Sequence, residues 1–132
     1  MNITVGNAHE AETNGTGWFI GFSAWTRTGG SDLLHVPKDQ LLSGLSVKWF
    51  EHPSGDESGS KPVSEGRTVS ILASSNSAFR IEFSASPEFA PGEVKTVLLQ
   101  RHGDYAAWGE GLHHRWYCES QATIITLRWN NL

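Results

Sequence analysis

The sequence predicts a single all-β domain, and three observations carry that prediction. Hydrophobicity alternates with a period of two rather than 3.6, the apolar runs are short and rich in β-branched and aromatic residues, and clusters of Gly, Pro, Asn and Ser separate them. In "AFRIEF", Ala78 to Phe83, the residues Phe79, Ile81 and Phe83 fall on one face and Arg80 and Glu82 on the other, which is the pattern of a half-buried strand. With 132 residues the chain has the length of one domain able to bury a core of its own.

In chain order, strands are expected in "WFIGFSAW" (18 to 25), "LSVKWFEH" (45 to 52), "RTVSILAS" (67 to 74), "AFRIEF", "VKTVLLQR" (94 to 101), "HRWY" (114 to 117) and "ATIITLRW" (122 to 129). Turn chemistry lies between them in "RTGGSD", "SSNS" and "SPEFAPGE". Only "PKDQLLSG" (37 to 44) reads as helical, with Pro37 tolerated at a first position and Gly44 past the end. Pro53 to Glu65, full of Gly, Ser, Pro and charge, reads as a mobile loop of the kind that lies over a binding site. Seven or more short strands at even spacing indicate a sandwich, jelly roll or small barrel, which hides its sheet edges by closure.

Composition excludes several function classes. Ten Lys and Arg against fourteen Asp and Glu give a formal net charge of -4, without the basic block that attracts a phosphate backbone, so nucleic acid is not expected as a partner. The N-terminal residues lack the basic and apolar regions of a signal peptide, and eighteen apolar residues never follow one another, so the expectation is a cytoplasmic protein with no membrane partner. Cys118 is the only cysteine and is expected as a buried thiol.

The chemistry-bearing stretch is "GDYAAWGEGLHHRW", Gly103 to Trp116. Its spacing is Gly103, five residues, Gly109, one residue, Gly111, two residues, His114, and then Cys118 four positions on. This resembles the second motif of the cupin superfamily, in which Gly, Pro, Gly, His and Asn occur at those spacings; Gly109 stands in place of Pro and Cys118 in place of Asn. The resemblance implies a cupin-like double-stranded β-helix, the jelly-roll barrel. It covers Val47 to Trp129, with residues 46–129 as the barrel core and 1–45 as added N-terminal strands that often pair across a homodimer.

The cupin first motif supplies H-x-H and a Glu, which with the second-motif His hold a divalent metal. No H-x-H occurs here. The resemblance leaves His52, before the long loop, and His114 as metal ligands or as catalytic acid and base, with Glu65 able to complete a metal set only through a bulge, or His102 or Glu51 in its stead. Arg67 or Thr68 stands at the Glu position. The stretch "EGRTVSILASSNSAFRIEF" resembles the family's strand, turn and strand hairpin.

Because successive side chains point to opposite faces, His114 and Trp116 are expected inside the barrel and His113 outside. Trp49, Trp108 and Trp116 are expected as pocket walls, whereas Trp18, Trp25 and Trp129 are expected in the core or a dimer interface. Phe79 and Arg80 complete the pocket if the interior is wet, with Arg80 binding an anionic substrate; if the apolar triplet packs between sheets, Arg80 faces solvent.

Two functions follow as alternatives. One is a small cupin enzyme, with or without a divalent metal, acting on a compact organic acid or sugar derivative. The other is a ligand-binding or sensor module whose degenerate barrel keeps a pocket for a small-molecule ligand but not the metal set. A lectin with tryptophan platforms on an outer face ranks below both.

Overall fold

A computed structural model describes residues 1–21, 32–37, 39–59 and 61–131. Among them are eight strands: β1 (Ile3–Asn7), β2 (Leu42–His52), β3 (Arg67–Leu72), β4 (Ala78–Ser84), β5 (Val94–Leu99), β6 (Asp104–Trp108), β7 (His113–Ser120) and β8 (Ala122–Asn131). They form two antiparallel sheets. One has the order β1-β6-β3-β8-β2 and the other β5-β4-β7.

Period-two patterning sets which side chain meets which layer. From the three-stranded sheet Phe79, Ile81, Phe83, Val97, Leu99 and Cys118 face Leu72, Ala106, Trp108 and Ile124 of the five-stranded sheet, and this is the inter-sheet core. Fully burying side chains of this kind is worth roughly 1.5–3 kcal/mol each. The opposite face of the five-stranded sheet is also covered. Val69, Tyr105, Ala107 and Trp129 there pack against Leu33, Leu34 and Val36 of the N-terminal segment, with Phe19 and Ile20 alongside. The five-stranded sheet is thus buried on both faces over its centre, which is why "TVSIL" and "ATIITL" carry apolar residues at both parities.

Several expectations change. Residues 37–44 form no helix among the described residues: one turn closes between Pro37 and Gln40, where Gln40 N donates to Pro37 O at 2.9 Å, and Leu42 already pairs with β8. Gly44, at φ 65°, lies where the β2–β8 register shifts between Ser43 and Ser46, a bulge that places a left-handed residue in an edge strand. Tertiary pairing overrides the local helical preference. Strands β3 and β4 belong to different sheets, so the segment read as a hairpin is a crossing between layers. β1 is a strand that the sequence reading did not single out. Of "WFIGFSAW", residues 18–20 are irregular and Gly21 makes an isolated parallel bridge to His35, while 22–25, including Trp25, lie outside the described residues. Trp129 is in the core, but Trp18 is 62% exposed.

The sequence predicts a mobile loop over 53–65, but its described residues are tied down. Gly55 N donates to Cys118 O, Cys118 N to Asp56 O and Ser58 N to Trp116 O, at 2.7 to 3.1 Å. β7 is an edge of the three-stranded sheet, so its outer backbone groups need partners, and this segment supplies them. Further along, Ser64 N donates to Leu112 O and Gly111 N to Ser64 O, both at 2.9 Å.

Candidate functional site

Between the sheets, beyond the apolar core, lies a cavity of about 400 Å³. Alternation along the strands lines it. From β8 it receives Ile124, Thr126, Arg128 and the adjoining Asn130; from β3, Thr68 and Ser70; from β2, Lys48 and His52. The opposing wall is Phe79 and Ile81 of β4 and His114 and Trp116 of β7, Trp108 of β6 lies beside Thr68 on the first wall, and the segment from Lys61 to Gly66 forms the rim. The three-stranded wall is therefore aromatic and apolar apart from His114, whereas the five-stranded wall joins hydroxyls and cations to Trp108 and Ile124.

His52 is buried and sits against the aromatic wall. Its ring centroid lies 4.4 Å from that of Trp116, 4.5 Å from Phe50 and 5.0 Å from Phe79. His52 Nδ1 donates to Asp56 Oδ2 at 2.9 Å, which orients the ring. His114 packs against Trp108, centroids 5.0 Å apart, and its Nδ1 is buried without a hydrogen-bond partner. Burial, then the positive charges of Arg128, Lys61, Lys48 and His113, lower the His114 pKa to about 4. At neutral pH it is an uncharged imidazole. Lys48 is also shifted down, by burial and by Lys61 and Arg128.

The strand register explains this charge cluster. Lys48 is opposite Thr126 across the β2–β8 pair, so Arg128 is its diagonal neighbour on the same face. Arg128 Nε donates to Thr68 Oγ1 at 3.2 Å, and Ser70 and Thr126 hydroxyls bond to each other at 3.0 Å.

The structure brings His52, His114, Trp108, Trp116, Phe79 and Glu65 to one cavity and leaves Trp49 and Arg80 out of its lining. Trp49 is 61% exposed, because His52 faces inward and a residue three positions earlier on the strand must face outward. Glu51 falls on the outward side with it. Arg80 lies on the outer face of β4, paired with Glu119 and 5.1 Å from the Tyr117 ring centroid, so the solvent alternative for Arg80 holds. His102 Nδ1 and His9 Nε2 are 2.8 Å apart at the surface. His113 lines a different, outer concavity with Arg115 and Tyr117.

Asp56, Lys48, Lys61 and Arg128 are the site residues that the sequence reading missed. Three of them carried a signal. Arg128 shares β8 parity with Ile124, Lys48 shares β2 parity with His52, and Asp56 follows His52 by four residues in a Gly- and Ser-rich turn.

The donor set does not fit a divalent metal. Among the described residues no group of three or more His, Cys, Asp or Glu is placed to hold one, and the three cations around His114 would oppose a fourth. Glu65 is at the exposed rim. No described helix is long and apolar enough to cross a membrane.

No protein-family model and no curated protein matches this chain in sequence. Solved structures match it in shape. Streptomyces albus HEPD, solved with its substrate 2-hydroxyethylphosphonate and Fe(II) bound, is 13% identical with a TM-score of 0.52, over 66% of this chain and 18% of that one. The conserved SPY1581 protein of Streptococcus pyogenes, of unknown function, is 16% identical at 0.51, over 70% and 75%. Hazelnut (Corylus avellana) vicilin is 14% identical at 0.50, over 67% and 26%. The chain thus spans less than two thirds of the length of HEPD and vicilin. What these likenesses share is architecture, and with the two antiparallel sheets they show that the chain has the cupin jelly-roll fold.

Proposed function

We propose that this chain is a small-molecule-binding protein whose ligand enters the barrel cavity and is held there without a resident metal. The observation that carries the reading is the lining of a cavity of about 400 Å³: Phe79 and Trp116 on one wall, Lys48, Arg128, Thr68, Ser70 and Thr126 on the other, with Trp108 beside Thr68. An apolar surface with a few convergent polar groups is the usual make-up of a ligand site of that size. A thermal-shift screen against sugars, organic acids and phosphorylated compounds tests it, since a ligand that binds only the native state must raise the melting temperature. Stabilisation that Thr126→Trp, which fills the cavity, removes is the expected result. No stabilisation by any class contradicts the reading.

A metal-dependent enzyme acting on a compact organic acid or sugar derivative is the second reading. It is favoured by His52, His114 and Glu65 lining one cavity and by the Fe(II) bound in HEPD. Metal analysis of untagged protein separates the two, because only this reading expects a stoichiometric metal lost on His114→Ala.

A second copy of the chain is the expected protein partner. β2 is an edge of the five-stranded sheet, and Leu45, Val47 and Trp49 on its outward side are 63, 65 and 61% exposed. Antiparallel pairing of two such edges about a twofold axis would cover both rows at once. Sedimentation of Trp49→Lys tests this, with a shift from dimer to monomer expected and a monomeric wild-type protein overturning it.

A further inference from the structure

The chain is acidic overall, with a formal net charge of -4, yet three of its cations meet at one cavity. The remaining described arginines are engaged elsewhere: Arg80 with Glu119, Arg101 with Glu10, Arg115 with Glu82, and Arg67 with the backbone oxygen of Asp32. Arg128 instead uses its Nε on a threonine hydroxyl, which fixes the guanidinium plane, and no described carboxylate lies within ion-pair distance of Arg128, Lys48 or Lys61. Glu65, at the rim, is the one carboxylate in the lining. Burial first, and then the neighbouring cations, lower the pKa of both Lys48 and His114.

Such an arrangement is unfavourable until an anion occupies it. Arg offers two further donor groups in the plane that matches a carboxylate or phosphate, and Lys48 and Lys61 add mobile point charges. A second, independent feature lies in the same lining: His114, 9% exposed, has a buried Nδ1 with no hydrogen-bond partner. A neutral imidazole there adds nothing to the local charge.

We propose that the cavity is a receptor for a small organic anion, whose carboxylate or phosphate group sits among Lys48, Lys61 and Arg128 while its body lies against Trp108 and Trp116 beside His114. This rests on the reading of the cavity as a small-molecule site and names the class of its ligand. The charge cluster also implies that the unliganded protein is held below its attainable stability, a frequent cost of a preformed site.

The test titrates the full chain with inorganic phosphate, citrate and glucose, with binding followed by calorimetry and by melting temperature. Phosphate and citrate distinguish the two sources of oxyanion, and glucose is the uncharged probe. At least one anion is expected to bind saturably, more weakly as salt rises, with affinity reduced about tenfold or more in Lys48→Gln and in Arg128→Gln. Lys95→Gln, a cation on β5 away from the cavity, should bind as wild type. Lys48 is exposed enough for its variant to fold, and Lys48→Gln without ligand should melt higher than wild type at low salt. Binding of glucose but neither anion would overturn the anion assignment and leave the cavity reading standing. Equal anion affinity in Lys48→Gln, Arg128→Gln and Lys95→Gln would overturn it as well, and so would absence of binding by both anions.

Discussion

Replacing His114 by Gln removes a titrating group from the buried lining of the cavity without removing its polarity, and the effect on stability depends on pH in a defined direction. In the unfolded chain His114 takes up a proton near 6.5, whereas in the folded chain burial and the neighbouring Arg128, Lys61 and Lys48 hold its pKa at about 4. Above pH 6.5 both states are neutral and the residue contributes nothing to the slope. Between 6.5 and 4 the unfolded state binds the proton and the folded state does not, so stability falls as the solution is acidified, by about 1.4 kcal/mol per pH unit. Integrated to pH 4.5 this is about 2.5 kcal/mol, and below about pH 4 the loss is complete. Urea unfolding at pH 7.5, 6.5, 5.5 and 4.5, followed by tryptophan fluorescence, reads it directly. The other histidines and the carboxylates titrate in both proteins, so the difference between wild type and His114→Gln isolates the one site. Stability of the variant relative to wild type should rise by about 2.5 kcal/mol over that range. Parallel pH profiles for the two proteins would refute the placement of a buried His114 beside these cations.

Gly103→Ala should destabilise by about 1–3 kcal/mol in chemical denaturation, because φ is +91° and the added methyl would sit 2.7 Å from the His9 ring. Phe83→Ala, at a fully buried position against Trp108, should cost about 3–5 kcal/mol in the same assay. Asp56→Ala should leave the fold intact and move the His52 ring resonances in nuclear magnetic resonance spectra, since the acceptor that fixes its Nδ1 proton is lost. Dialysis against a chelator should leave the melting temperature unchanged; a clear fall would favour the metal-dependent reading.

The fold was legible because alternation is strict where one face is buried. "AFRIEF" put Phe79, Ile81 and Phe83 inward and Arg80 outward, and the same parity divided His113 from His114. The glycine spacing around Gly103 and Gly111 marked both turns, and each has positive φ. Local pattern misled at residues 37–44, where helical composition lost to pairing with β8 around the Gly44 bulge. It also misled at 53–65, where a polar composition hid a segment that completes the hydrogen bonding of an edge strand. Site residues were harder, because their function depends on contacts across strands. Nothing local in "VKWFEH" or "TLRW" says that Lys48 and Arg128 are diagonal neighbours; that follows only from the β2–β8 register. Trp49 could have been excluded from the sequence, because it and His52 have opposite parity on one strand.

The central claim, that a small anion binds inside the barrel, is tested most directly by nuclear magnetic resonance of the indole N–H groups during a citrate and phosphate titration. Trp108, whose Nε1 donates to Ser64 Oγ at 3.1 Å, and Trp116 line the cavity, while Trp18 and Trp49 are exposed away from its lining. The account predicts saturable shifts of the Trp108 and Trp116 resonances with Trp18 and Trp49 unmoved. Shifts confined to Trp18 and Trp49, or no saturable shift at Trp108 and Trp116, would contradict it.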